Sequence, residues 1–274
     1  MNANLRNSKT INSFLAAQKS EVRQSQISGL ESYVSSQREK NSDAIHFVKY
    51  WGASNKSALD NYDYDALLNL FGFVRVVEKE YKMNVQLTLV FTDTHALLNG
   101  YSRDGYREYY KQLRSILNKF NYIHIFMSDI IKPYLRLQGM EDTSKLITFL
   151  INRSKKDEML ATLKRTDSFQ LLKRSASKHS CRYFESQRYG DWSFDTPDQS
   201  AYAYILLNQI EAAYIGTKFL QNIFLTYMSE SETELIAPHL PSVQLFSYRS
   251  GIRSRPWFSY CKTEIQQPCA ELLQ

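Results

Sequence analysis

The stretch VQLTLVFTDTHALLNGY, residues 85–101, decides how the rest of the chain is read. From Val85 to Phe91 it is apolar or β-branched at every position except Gln86. A run this short and this dense suits a strand covered on both faces, the kind found in parallel sheets with helices above and below. The β-like run, VQLTLVFTD, extends over 85–93 to a polar end at Thr92-Asp93, and a polar turn carrying His95 follows at once. Four other runs share its character: AIHFVKYW at 44–51, YIHIFMSD at 122–129, NIFLTY at 222–227 and VQLFSY at 243–248.

Helical spacing fills the intervals. Asp60 or Asp63 is placed to cap a helix through Ala66, Leu67, Leu70, Phe73, Val74 and Val77, and Ser102 to cap another through Tyr106, Tyr109, Tyr110, Leu113 and Leu117. Residues 142–180 read as helical, and Pro197 opens a helix running to about Thr217. Residues 8–40 carry sparse apolar positions at roughly helical spacing. This alternation predicts an α/β protein with a mostly parallel sheet of five or more strands flanked by helices. Residues 1–42 form an N-terminal helical extension in this reading, and 43–274 one catalytic domain.

With 274 residues, 43% apolar and 23% charged, the composition is that of a chain with a sizeable core and excludes disordered, collagen-like and coiled-coil classes. No apolar run approaches the roughly 18 residues of a membrane span, and the first residues lack a signal-peptide core. Cys181, Cys261 and Cys269 show neither pairing nor metal spacing, as expected of incidental thiols in a reducing cytoplasm. There is no GxGxxG and no GxxxxGK[ST], so neither a dinucleotide nor ATP is expected, and no His/Cys cluster predicts a metal. The expectation is a cytoplasmic protein without cofactor, metal or membrane partner, monomeric or weakly dimeric.

The net charge of +6 is local. From Ile151 to Arg182 nine basic residues meet three acidic ones, while the remaining 242 residues balance at 25 of each sign. Lys155, Lys156, Lys164, Arg165, Lys173 and Arg174 lie in this block, and Arg107, Lys111 and Arg114 mark the preceding helix. Such a surface suits the backbone of a nucleic acid, or is simply a solvated helix face.

In open α/β sheets ligands bind beyond the carboxyl ends of the strands. The segments there are WGASNKS at 51–57, DTHALLNGY at 93–101, SD at 128–129, TY at 226–227 and SYRSG at 247–251, and they bring Gly52, Asn99 and Arg249 into consideration as substrate contacts. Asp93 and His95 can orient substrate or move protons there, or merely cap a turn and pack. Glu211 lies in the mostly apolar YAYILLNQIEAAYIG, with Asn208 and Tyr204 on the same helical face. A buried carboxylate there implies a partner or a substrate ammonium; an exposed one implies nothing. Ser54 and Ser57 are turn serines, nucleophiles or helix caps.

These residues, in order, resemble the cyclodipeptide synthases, whose Rossmann-like domain is akin to that of class I tyrosyl-tRNA synthetases. The pieces are Gly52-Ala53-Ser54 after the first strand, Asp93-Thr94-His95 after the second, the basic helix Arg103 to Lys119, Tyr204 with Glu211, and Pro241-Ser242-Val243 leading to Tyr248. The resemblance implies an enzyme that makes a diketopiperazine from two aminoacyl-tRNAs. Ser54 would be the nucleophile, Tyr204 and Glu211 the amine-binding pair, Tyr248 a proton-transfer or positioning residue, and the basic helices the tRNA contact. Tyr204 and Glu211 stand seven residues apart, where that family usually has four.

The span from Asp60 through Tyr81 to Asp93 and Tyr110 is also similar to the isonitrile synthases, which condense the amino group of tyrosine or tryptophan with a pentulose phosphate. That resemblance makes Lys56, Arg249 and Arg253 phosphate ligands, although Thr94 stands where that family commonly has glycine after the aspartate. A non-enzymatic RNA-binding module is the third class.

Overall fold

The computed structural model of the chain describes residues 11, 14–15, 20–52, 57–154, 197–226, 237 and 240–245. Five strands, β1 (Ala44–Trp51), β2 (Asn84–Phe91), β3 (Ile123–Phe126), β4 (Ile223–Thr226) and β5 (Ser242–Gln244), form one sheet in the order β3-β2-β1-β4-β5. Every pairing is parallel, with Phe47 beside Leu87 and Ile223, and Trp51 beside Phe91. Helices α1 (Ser20–Glu39), α2 (Asn61–Tyr81), α3 (Asp93–Leu98), α4 (Arg103–Lys119), α5 (Met127–Ile130), α6 (Lys132–Leu137), α7 (Thr143–Ser154) and α8 (Pro197–Lys218) complete the described elements. This is a Rossmann-like α/β architecture preceded by an N-terminal helix, as the alternation of runs predicts.

The strands are continuous apolar runs because both faces are covered. Phe47 packs on Phe73 of α2 at 5.5 Å between ring centroids, while Tyr50 packs on Phe224 of β4 at 4.8 Å. Ile45, Phe47, Val48, Leu87, Leu89, Val90, Phe91, Phe224 and Leu225 are all buried. Each large apolar side chain removed from water contributes about 1.5–3 kcal/mol.

The predicted helix starts hold. Ser102 accepts a hydrogen bond from the Gly105 N–H, capping α4. At α2, Asp60 and Asp63 act together: the Asp63 N–H donates to Asp60 Oδ1 at 3.1 Å and the Asp60 N–H to Asp63 Oδ2 at 3.0 Å, a reciprocal capping box. Strand ends differ from the sequence reading. β2 stops at Phe91, because Thr92 is the N-cap residue of α3 and Asp93 begins that helix. β3 stops at Phe126, and Ser128-Asp129 belong to α5, whose Ser128 N–H is taken by the Asp93 carboxylate. The part of the last run from Phe246 to Tyr248, the helical expectation over 155–180 and all three cysteines lie outside the described residues.

After β3 the chain returns across the sheet to place β4 on the far side of β1. The strand order therefore reverses between β1 and β4, and the crevice of an open α/β sheet opens beyond the carboxyl ends at such a point.

Candidate active site

At the carboxyl end of β2, Thr92 turns the chain into the six-residue α3, and consecutive side chains of that helix reach α8. The Thr94 hydroxyl donates to Glu211 Oε1 at 2.5 Å, and His95 Nε2 lies 2.6 Å from Glu211 Oε2. Glu211 is only 1% exposed. Burying a carboxylate is costly unless its oxygens are paired, and here both oxygens are bonded by the chain itself. The predicted alternative of an exposed Glu211 is thereby excluded.

The contact also assigns the imidazole tautomer. A carboxylate only accepts, so Nε2 carries the proton toward Glu211, and in the neutral ring Nδ1 is the bare nitrogen. Nδ1 is buried and takes no hydrogen bond among the described residues. Tyr204 meets the His95 ring edge to face at 4.7 Å. Its phenol is driven upward by burial and by the Glu211 charge, and Tyr50 is raised well above the ordinary phenol value for the same two reasons. Both phenols therefore stay protonated and polar. Asn208, buried one helical turn before Glu211, lies on the same stretch of α8.

Asp93 is the second buried carboxylate. Its Oδ1 accepts from the Ser128 N–H at 3.0 Å, a bond that ties the ends of β2 and β3 together. Burial raises its pKa first; the bonds to Ser128 pull it down, and the nearby Glu211 charge raises it again.

A separate network holds the connection after β1. Trp51 donates its indole N–H to the Tyr109 hydroxyl at 2.9 Å, and that hydroxyl donates to Asp63 Oδ1 at 2.9 Å. Tyr110 donates to the Trp51 carbonyl at 3.2 Å. Further along, Gln112 donates to the Ser57 carbonyl at 3.3 Å and accepts from the Leu59 N–H at 3.2 Å. One helix, α4, thus pins the chain on both sides of 53–56.

The structure brings together Asp93, His95, Tyr204 and Glu211 of the predicted residues, with Asn208 beside them. Asn99 caps the end of α3, half-buried, and Gly52 lies next to Thr92, where an added Cβ would meet Oγ1 at 3.5 Å, an ordinary contact. Arg107, Lys111 and Arg114 occupy the exposed face of α4, away from its buried tyrosines, and Lys111 pairs with Glu108 at 3.4 Å. Ser54, Lys56, Lys155, Lys156, Lys164, Arg165, Lys173, Arg174, Tyr248, Arg249 and Arg253 lie outside the described residues. Sequence reasoning missed Thr94 as a partner of Glu211 and missed the Trp51-Tyr109-Asp63 chain. The triplet Asp93-Thr94-His95 signalled the first; no local pattern signals the second. Among the described residues no three His, Cys, Asp or Glu side chains cluster closely enough to hold a metal, and no helix is long and apolar enough to cross a membrane.

No protein-family model matches the chain, and no curated protein sequence does. Among solved structures it is similar to the PvcA protein from Pseudomonas aeruginosa, with 14% identity and a TM-score of 0.55 over 87% of this chain and 84% of that one. It is also similar to a tyrosyl-tRNA synthetase from Archaeoglobus fulgidus, solved in complex with L-tyrosine, with 12% identity and a TM-score of 0.44 over 80% of this chain and 58% of that one. At this identity the likeness to PvcA is one of fold, and it spans most of both chains.

Proposed function

We propose that the chain is an enzyme that deprotonates the amino group of an aromatic amino acid and joins it to the carbonyl carbon of a pentulose phosphate, in the manner of the isonitrile synthases. One observation carries this reading: Glu211 spends both oxygens on Thr94 and His95, which leaves a partly buried histidine whose Nδ1 atom is a buried, bare acceptor. At neutral pH an amine arrives as an ammonium with no lone pair to attack with. His95 Nδ1 takes one proton, and Glu211 stabilises the imidazolium through Nε2–H. The neutral amine then forms the C–N bond as the carbonyl π pair moves to oxygen; the imidazolium returns its proton to that oxygen, and the now cationic nitrogen releases one of its protons to solvent to leave a neutral carbinolamine. A positioned base of this kind is worth about 10²–10⁴-fold in rate.

The resemblance from Asp60 to Tyr110 supports the choice of carbonyl partner, with Lys56, Arg249 and Arg253 as its expected phosphate ligands. The second reading, cyclodipeptide formation from two aminoacyl-tRNAs through Ser54, draws support from the exposed basic face of α4. It asks Glu211 and Tyr204 to grip the amine, and Glu211 is already committed to two other groups. RNase-treated protein supplied with L-tyrosine or L-tryptophan and ribulose 5-phosphate is expected to consume both. A product that forms only from charged tRNA and disappears with RNase overturns the sugar-phosphate reading in favour of the second.

A further inference from the structure

The two carboxylates of the site, Asp93 at the end of β2 and Glu211 on α8, are buried to a similar degree and partnered differently. Glu211 receives a hydroxyl and an imidazole N–H on separate oxygens. Asp93 is only 7% exposed, its hydrogen bonds come only from Ser128 and its own backbone N–H, and no Lys, Arg or His lies in ion-pair range of it among the described residues. An ionised carboxyl group has about four lone-pair positions. Left buried with neutral donors and no cation beside it, it carries a desolvation cost that its own protein offsets only in part. Glu211 adds to that cost, because its charge acts on Asp93 as a like charge. The same site holds a buried acceptor with no donor at all, His95 Nδ1. What both acceptors lack is a compact cation with several N–H donors.

We propose that Asp93 is the seat of the substrate's α-ammonium group. A primary ammonium brings three N–H donors and one positive charge, which supplies Asp93 with donors and relieves the repulsion between the two carboxylates. The Ser128 N–H fixes one oxygen, so the carboxylate is already oriented before the ligand arrives. The inference rests on the amine-condensing reading above and divides its labour: Asp93 binds the amine, Glu211 positions the base. It also moves amine recognition away from Glu211 and Tyr204, where the resemblance to cyclodipeptide synthases put it.

The test compares L-tyrosine with its deaminated analogue, 3-(4-hydroxyphenyl)propanoate, by calorimetry on the full chain. The wild type is expected to bind tyrosine at least about tenfold more tightly. Asp93→Asn keeps an acceptor for the Ser128 N–H and is expected to abolish that preference while leaving the analogue's affinity within about twofold. Glu211→Gln is expected to retain the preference and lose turnover. Asp93→Glu, which keeps the charge, is expected to restore part of the preference and guards against a folding defect in the amide variant. Equal preference in wild type and Asp93→Asn overturns the seat, as does a preference lost in Glu211→Gln but kept in Asp93→Asn, or none in the wild type. Product formation on the same preparations separates the two ideas: an enzyme that condenses the amine without Asp93-dependent preference keeps the function and loses the seat.

Discussion

Glu211 stands between Ile210 and Ala212 on a helix whose buried side supports the sheet, a position where an apolar residue would be the cheaper choice. Its retention there is explained by what bonds to it. In Glu211→Gln the amide N–H groups oppose donors from Thr94 and His95, so a buried donor loses its acceptor. The expected cost is about 1–3 kcal/mol in a urea titration, together with a fall in kcat of about 10²–10⁴. Nitrogen NMR of His95 should show a protonated Nε2 and a bare Nδ1 in the wild type, and a mixture of tautomers in the variant. Lys49 is a different kind of buried charge. Burial alone lowers its ammonium to about 7, whereas the unfolded chain holds that proton to about pH 10.4. Between those values the unfolded state binds a proton that the folded state releases, so stability rises with pH across this window. Lys49→Met is expected to stabilise the fold by a few kcal/mol at or below pH 7, a gain that shrinks toward pH 10. Thermal unfolding across that range is the check. Asp93, His95 and Glu211 were each conspicuous in the sequence as polar groups at strand ends or in apolar surroundings. Their pairing was not, because the Thr94 and Glu211 side chains meet across 117 residues of chain.

At the scale of elements, strands and helix starts were legible because they depend on neighbours in sequence. β1 spans Ala44–Trp51 as its apolar run requires, and Ser102 caps α4 from one residue outside it. Strand ends were not legible. β2 and β3 are cut short where α3 and α5 begin, and the Asp93–Ser128 bond that joins those two helix starts is set by the sheet and not by the segment. Helix α4 illustrates a face that sequence could not interpret. Its tyrosines read as core, and they are, but Tyr109 also donates to Asp63 and accepts from Trp51. Tyr109→Phe leaves the Trp51 indole N–H and the Asp63 carboxylate short of a partner. The expected loss is about 1–3 kcal/mol, read as a lower urea midpoint with an unchanged slope. Gln112→Ala releases only the Ser57 and Leu59 backbone, and its effect is expected on proteolysis between Trp51 and Leu59 more than on global stability.

For the whole molecule, the alternation of runs predicted a parallel sheet, while the order β3-β2-β1-β4-β5 emerged only from the pairing itself. That order is what gathers α3, α5 and α8 at one end of β1, β2 and β4, so the site is a product of topology before it is a product of any motif. The block that carries the net charge of +6 lies outside the described residues from 155 on, while Arg107, Lys111 and Arg114 stand on the exposed face of α4. The central claim is that this end of the sheet joins an amine nitrogen to a ketose carbon with His95 as the base. Its most direct test is carbon NMR of a reaction containing the full chain, ¹⁵N-tyrosine and ribulose 5-phosphate labelled with ¹³C at the carbonyl. The account predicts a product whose labelled carbon is split by one-bond coupling to ¹⁵N, formed after RNase treatment and lost in His95→Asn. A reaction in which the two labels never become bonded, or in which His95→Asn forms the same product at the wild-type rate, would contradict it.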